Sequence, residues 1–126
     1  GEIFIEGYSG DYLGCFMRRG LIIVKGNVGK FCCFKMIAGN VILFKSYKSL
    51  LGLSMKRGTI VLMSNNIKNI GARITKPFDF IESIFFLYFK KYLRSKYSIN
   101  LGNKKYKRFY LDRSVKGVGE IIVRQN

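Results

Sequence analysis

Gly1-Glu-Ile-Phe-Ile-Glu-Gly7, Gly20-Leu-Ile-Ile-Val-Lys-Gly26, Gly39-Asn-Val-Ile-Leu-Phe-Lys45 and Gly58-Thr-Ile-Val-Leu-Met-Ser64 are one motif met four times, at a fixed spacing of 19 residues. Gly1, Gly20, Gly39 and Gly58 share a column, and Met17, Met36, Met55 and Ile74 share another. A self-similar period of this length is the signature of a stacked solenoid, in which each repeat buries its apolar face on its neighbours. Three apolar residues between turn residues make a strand too short to stand alone. Stacked about 4.8 Å apart on equivalent strands, such segments pair their backbone groups from coil to coil as a parallel β-helix. A helical repeat is excluded, because a glycine every few residues would cost roughly 1 kcal/mol each in a helix. The expected fold is an all-β solenoid with about four 19-residue coils over residues 1–75.

The columns assign separate tasks to the conserved-spacing residues. Gly7 with Gly10, and Gly26 with Gly29, follow the strand where the chain turns a corner, and positive φ is expected there. Gly14, Gly52 and Gly71 share a column interrupted by Cys33, so a small side chain is wanted. Met17, Met36 and Met55 read as an apolar ladder stacked inside the coil; no His or paired Cys accompanies them to make a metal or cofactor channel. Side chains alternate between strand faces. With Ile3/Ile5, Ile22/Val24, Val41/Leu43 and Ile60/Leu62 inward, Phe4, Ile23, Ile42 and Val61 form a continuous apolar ladder on the outer wall. Such a patch marks a contact surface, covered either by the chain's own later segment or by a partner subunit.

The chemical inventory is thin. There is no His, so imidazole ligation and imidazole base catalysis are excluded. Alternation sends Cys32 and Cys33 to opposite sides of one strand and Cys15 aligns with Phe34, so the three cysteines read as buried small hydrophobes rather than a metal site. Gly26-Asn-Val-Gly29-Lys30 lacks the glycine spacing, the following Ser/Thr and the helix of a phosphate loop. An odd cysteine count in a chain that is not disulfide-dense favours a reducing compartment. No charged and apolar leader pattern is evident, and the apolar stretch at Ile84–Phe89 is far shorter than a membrane span, so the chain reads as cytoplasmic. The chain opens at Gly1, without a Met and inside the repeating pattern, which fits a mature form, a fragment or the surviving part of a longer gene alike.

With 23 basic residues against 7 acidic, the surface attracts polyanions: nucleic acid, anionic lipid, a polycarboxylate cofactor or an acidic subunit. AT-rich codon usage accounts equally well for the many Lys, Ile, Asn, Phe and Tyr. Lys45, Lys48, Lys104, Lys105, Lys107 and Arg108 are the candidate polyanion contacts.

After Ile74 the pattern breaks. Thr75-Lys76-Pro77 is a helix-start signal, and a helix over 76–95 follows, with Ile81, Phe85, Tyr88 and Tyr92 at helical spacing. Asp79 and Glu82 in the first turns and Lys90, Lys91 and Arg94 in the last match the helix dipole. This helix lies over the outer ladder or closes the open end of the solenoid, and its other face, with Phe86 and Phe89, is free to be shared with a partner. Residues 96–126 read as a basic segment ending in a strand, all within one domain of 1–126. Tyr106, Phe109 and Tyr110 among Lys104, Lys105, Lys107 and Arg108 read as an ordinary packed strand in preference to a base-stacking platform.

The coil Gly1-Glu-Ile-Phe-Ile-Glu-Gly7-Tyr-Ser-Gly10-Asp-Tyr-Leu-Gly14-Cys-Phe-Met17-Arg-Arg-Gly20 resembles the glycine-rich domain shared by the C subunit of formylmethanofuran dehydrogenase and the C-terminal domain of the glutamate synthase large subunit. The tail Arg108-Phe-Tyr-Leu-Asp112 with Gly117-Val-Gly119-Glu120-Ile-Ile is closer to the first, in particular to the C subunit of the formyltransferase/hydrolase complex. The resemblance covers most of the chain. It implies a right-handed parallel β-helix that docks catalytic subunits. In those complexes formyl groups pass between tetrahydromethanopterin, a methanofuran-type carrier and formate or CO2. The redox or hydrolytic chemistry would then belong to other subunits, in agreement with the absent catalytic set. No cofactor is expected on this chain alone, while a lysine-rich wall suits the glutamyl carboxylates of the carrier. Two departures mark a truncated or divergent member: Lys45 and Lys48 stand where earlier coils have glycines, and family members are usually longer at the N-terminus. The competing readings are a glutamate-synthase-like β-helix spacer and a basic nucleic-acid-binding protein.

Overall fold

A computed structural model describes residues 1–65, 67–68, 70, 78–79, 82–102, 105–111 and 119–125. Gly71, Ile74, Thr75–Pro77 and Lys104 lie outside the described residues. Strands β1 (Glu2–Ile5), β2 (Leu21–Val24), β3 (Asn40–Leu43) and β4 (Gly58–Leu62) stack in parallel, each displaced by one repeat from the last. Ile3, Ile22, Val41 and Ile60 form one row of the register and Phe4, Ile23, Ile42 and Val61 the next. The chain is a parallel β-solenoid of about three turns, slightly fewer than the repeat count suggests, because β4 opens a coil whose sheet neighbour comes from the chain's end. That neighbour is β7 (Gly119–Arg124), parallel to β4. Strands β6 (Tyr106–Tyr110) and β5 (Phe78–Asp79) then add antiparallel, giving the order β1-β2-β3-β4-β7-β6-β5.

The solenoid interior holds Ile22, Val24, Val41, Leu43, Ile60, Leu62, Ile121 and Val123, together with Met36, Met55 and Leu51; Met17 packs against this cluster half-buried. The methionine ladder is therefore core. The strands are buried on their other face too. Leu21, Ile23, Ile42, Val61 and Ile122 lie under the helix α1 (Ile84–Tyr97), which seats Phe86 and Leu93 on them, with Phe89, Tyr97 and Phe4 at the margin. The outer ladder of Phe4, Ile23, Ile42 and Val61 is thus covered by the chain's own helix, and its reading as a partner interface is corrected: Ile23, Ile42 and Val61 are fully buried inside the molecule. Strands buried on both faces read as near-continuous apolar runs, as these do.

The helix itself departs from the sequence expectation in start and orientation. Phe78–Asp79 is a strand, and the helix begins at Ile84 with Ser83 as N-cap, whose Oγ accepts a hydrogen bond from the Phe86 N–H at 3.1 Å. Glu82 precedes the cap and pairs with Lys90. Ser98 ends the helix in a left-handed conformation (φ 56°), its N–H donating to Arg94 O while the Ile99 N–H donates to Leu93 O. Phe85, Tyr88 and Tyr92 face solvent, and it is Phe86, Phe89 and Leu93 that pack. Both stripes have helical spacing, so periodicity alone could not choose between them.

The corners are also built differently from expectation. Gly7, Gly10, Gly26 and Gly29 do not adopt positive φ. Gly26 is glycine for closeness instead: a Cβ there would lie 2.6 Å from the Gly7 carbonyl carbon and 2.8 Å from the Tyr8 nitrogen in the coil before. Left-handed residues come in four columns further on: Tyr12/Phe31/Leu50, Gly14/Cys33/Gly52, Phe16/Lys35/Ser54 and the all-glycine column Gly20/Gly39/Gly58. For bulky residues this conformation costs of order 1–3 kcal/mol. Coil stacking offsets it, since the reversed N–H groups of Tyr12, Phe16, Phe31 and Lys35 donate to Lys30, Phe34, Ser49 and Leu53 carbonyls of the next coil at 2.8–3.1 Å.

Because Ile42 fills the centre of the helix–sheet contact, Ile42→Ala is expected to lose about 2–5 kcal/mol in urea unfolding. A loss below about 1 kcal/mol, the scale of an exposed site, would mean that this wall is not buried.

Candidate functional site

Among the described residues no three His, Cys, Asp or Glu side chains come together as a metal-binding group. One organised polar set is Thr59, Arg108 and Glu120: Thr59 Oγ1 donates to Glu120 Oε1 at 2.8 Å, and Arg108 Nε lies 2.9 Å from Glu120 Oε2. It joins β4, β7 and β6 beneath the start of α1, beside a void of about 40 Å³. A space of that size holds a water molecule or two and no substrate. This triad fastens the sheet.

The surface is more informative. The outer face of α1 carries Ile84, Phe85, Leu87, Tyr88 and Tyr92, with Ile84, Phe85 and Tyr88 each about two-thirds exposed or more (72, 66 and 67%). Phe85 stacks on Phe89 with ring centroids 6.1 Å apart, and Lys91 Nζ stands 5.8 Å from the Tyr88 ring centre. The helix contains Lys90, Lys91, Arg94 and Lys96 and no acidic residue. An open groove of about 390 Å³ runs between this helix and the leading ends of the first three strands, lined by Gly1, Glu2, Asn40, Phe85 and Tyr92 among others. A second aromatic cluster sits on the left-handed corner: Tyr12 stacks on Phe31 at 4.9 Å, and Phe34 meets Tyr12, Phe16 and Phe31 edge-on. Preorganised, exposed aromatic surfaces flanked by cations suit docking to a macromolecule.

One electrostatic clamp sets the position of the helix. Glu2 of β1 accepts hydrogen bonds from the Tyr92 and Tyr97 hydroxyls, and Lys96 Nζ lies 3.1 Å from it. These hydrogen bonds, Tyr92 first and Tyr97 second, with Lys96 adding its own, hold the Glu2 carboxyl down at about 2. The Tyr92 hydroxyl first and then Glu2 raise Lys96, and the hydrogen bond to Glu2 raises Tyr97. Phe4 stacks on Tyr97 at 5.3 Å immediately beside the clamp. Sequence reading gave Glu2 no role; its partners lie 90 and 95 residues away, with no periodic signal to reveal them.

Other expected residues are dispersed. Lys45 and Lys48 are exposed on the corner after β3, Lys105 is exposed before β6, and Lys107 is half-buried within β6. Arg108 is engaged with Glu120. Tyr106 is buried against the helix, donating its hydroxyl to Leu101 O, and Phe109 packs on the solenoid core, so the basic-aromatic stretch is a packed strand. Cys32 and Cys33 do not diverge. The left-handed backbone at Cys33 (φ 61°) turns both into the core, with sulfurs 3.7 Å apart. The hydrogen bond with Cys32 and then complete burial push the Cys33 thiol well above its usual range. No described helix is long and apolar enough to cross a membrane.

Comparison with known proteins adds one specific likeness. No family model and no curated protein matches the sequence. Among solved structures, a chain of the formyltransferase/hydrolase complex (FhcABCD) from Methylorubrum extorquens, crystallised with methylofuran, superposes with a TM-score of 0.83 at 25% identity. The match covers 99% of this chain and 46% of that one, so this chain spans about half the length of its structural relative.

Two measurements check this geometry. Glu2 is depressed from 4.5 to about 2, so its contribution to stability is complete above pH 4.5 and is lost as pH falls through about 2. Glu2→Gln should accordingly lower the unfolding midpoint at neutral pH and flatten the pH dependence within that window; an unchanged acid limb would remove the clamp. In thiol alkylation of the native chain, half-buried Cys15 should react alone, with Cys32 and Cys33 labelled only after unfolding.

Proposed function

We propose that this chain is a non-catalytic scaffold subunit, of the C type, in a formyl-transferring complex of tetrahydromethanopterin- and methanofuran-linked C1 metabolism. The observation that carries this reading is the backbone match to the formyltransferase/hydrolase complex, which extends over 99% of the chain. The coil and tail motifs point the same way.

In this reading the outer face of α1 is the docking surface for a catalytic subunit. Its aromatic rings give large contact area for few frozen torsions, and its exposed cations Lys91 and Arg94 select an acidic rim on the partner. A methanofuran-type carrier is contacted only within the complex, where exposed Lys45, Lys48 and Lys105 suit glutamyl carboxylates. The methylofuran held by the neighbouring complex supports that contact.

The test is a tagged purification from native cells with the co-purifying proteins identified by mass spectrometry. Formyltransferase- and amidohydrolase-like subunits should be recovered. The double substitution Phe85→Ala/Tyr88→Ala should reduce their recovery at least tenfold while leaving the melting temperature of the isolated chain unchanged, since both rings are exposed. Recovery of nucleic acid alone, released steeply by salt, would overturn the proposal.

A further inference from the structure

Three of the four cations on α1 are gathered on one stretch of it. Lys90 and Arg94 meet at i,i+4 spacing and Lys91 and Arg94 at i,i+3, arrangements in which like charges destabilise a helix. The helix dipole favours cations in the last turn, where Arg94 and Lys96 stand, but gives no reason for Lys90 and Lys91 further back. Lys96 is answered by Glu2. Lys90 is answered by Glu82, and its Nζ also donates to Gly102 O at 3.2 Å. Lys91 and Arg94 form no ion pair among the described residues; Lys91 has the Tyr88 ring beside it.

The segment after the helix closes this stretch into a cleft. Ser98 turns the chain back in its left-handed conformation, and Ile99 and Leu101 then anchor it in the core between helix and sheet. The Tyr106 hydroxyl donates to Leu101 O at 3.2 Å, and the Gly102 N–H donates to Asn100 Oδ1 at 2.8 Å, so this wall is held in place. Leu87, Lys90, Lys91 and Arg94 on one side and Asn100 and Gly102 on the other enclose about 350 Å³. Pockets for small ligands begin at about 300 Å³. The hydrogen-bonding character of the lining is one-sided. Asn100 Oδ1 already accepts from Gly102, and Gly102 O already accepts from Lys90. What is left for a guest is donors: the third Lys90 N–H, the Lys91 ammonium, the Arg94 guanidinium and the Asn100 amide. With Glu82 set against Lys90, the uncompensated charge is that of Lys91 and Arg94, two positive charges in one cleft.

We infer that this cleft between the second half of α1 and the loop after it is a binding site for a phosphomonoester. Arg94 supplies a planar fork for two phosphate oxygens, Lys90 and Lys91 supply compact charges, and Leu87 bounds the organic part of the ester. A phosphomonoester is close to dianionic at neutral pH and so matches the two uncompensated cations. A single carboxylate carries half that charge and leaves one of them unmatched. Nothing in this site rests on the proposed function, since the chain alone forms it. A partner's acidic side chain is the rival occupant, because it would seek the same Lys91 and Arg94.

The experiment titrates the 126-residue chain with glycerol 3-phosphate and follows calorimetry and amide NMR. It is run at about 0.15 M salt, where diffuse attraction to a basic surface is screened beyond about 8 Å. Saturable one-to-one binding is expected, with shifts centred on residues 87–94 and 98–102. Affinity should fall as pH drops through about 6, where the ester becomes a monoanion. Lys91→Gln and Arg94→Gln should each weaken binding by about tenfold or more, the scale of a lost charged hydrogen bond. Neither should lower the melting temperature, since both side chains are exposed. Lys56→Gln/Arg57→Gln removes two exposed cations just before β4 and should leave binding unchanged. Vesicles carrying phosphatidate present the same monoester at a surface, and capture by them without capture of the soluble ester would assign the source to a lipid. No saturable binding of either ester, or an equal loss from the Lys56/Arg57 substitutions, would overturn the inference. So would equal affinity for succinate, which would make a partner's carboxylate the fitting occupant.

Discussion

Burial of four-residue strands on both faces is the constraint from which the rest of this structure follows. A strand of that length gains little from its own ladder, and the solenoid interior takes only alternate side chains. Leu21, Ile23, Ile42, Val61 and Ile122 are left pointing outward, and full burial of each such side chain is worth about 1.5–3 kcal/mol. A helix laid across the sheet recovers that energy. Its position then has to be fixed, because an apolar wall alone does not choose a register. The Glu2–Tyr92–Tyr97–Lys96 clamp and the Phe4–Tyr97 stack fix one end, and Ser83 capping with the Phe86–Tyr106 contact at 5.8 Å fixes the other.

What could be read from the sequence was whatever the period enforces. The strand rows, the interior methionines and the outward ladder are properties of columns, and columns are visible without a structure. The left-handed corners were not. Tyr12, Phe31 and Lys35 hold conformations that those residue types disfavour, and only the carbonyls of the next coil make the conformation sustainable. The same reversal defeated simple alternation at Cys32 and Cys33. The helix start was missed because Thr75-Lys76-Pro77 is a local signal, whereas Ser83 is chosen by where Phe86 must land on the wall. Glu2 was invisible because its partners are paired with it only by the fold.

Charge distribution bears on function more narrowly than composition suggests. A net charge of +16 over 126 residues implies polyanion affinity of some kind. Yet Arg108 is consumed by Glu120, Lys90 by Glu82 and Lys96 by Glu2, so part of the positive charge serves internal pairing. Aromatic rings that would have served a single-stranded nucleic acid are likewise spent in the core: Tyr106 and Phe109 point away from solvent. Exposed rings and cations coincide instead on the outer face of α1, where Tyr88 and Lys91 lie together.

That coincidence has a mechanical consequence. A docking surface contributes most when it loses little freedom on binding. The outer face of α1 belongs to a 14-residue helix whose inner face is packed on the sheet and whose last turns are tied to β1. Its exposed rings are therefore positioned by the same contacts that bury the ladder. The wall that first looks like a binding surface becomes the support for one, and the binding surface moves a single layer outward. In a stacked solenoid this arrangement separates two demands that would otherwise compete, since the inner face of the helix buries the strands while its outer face stays available for binding.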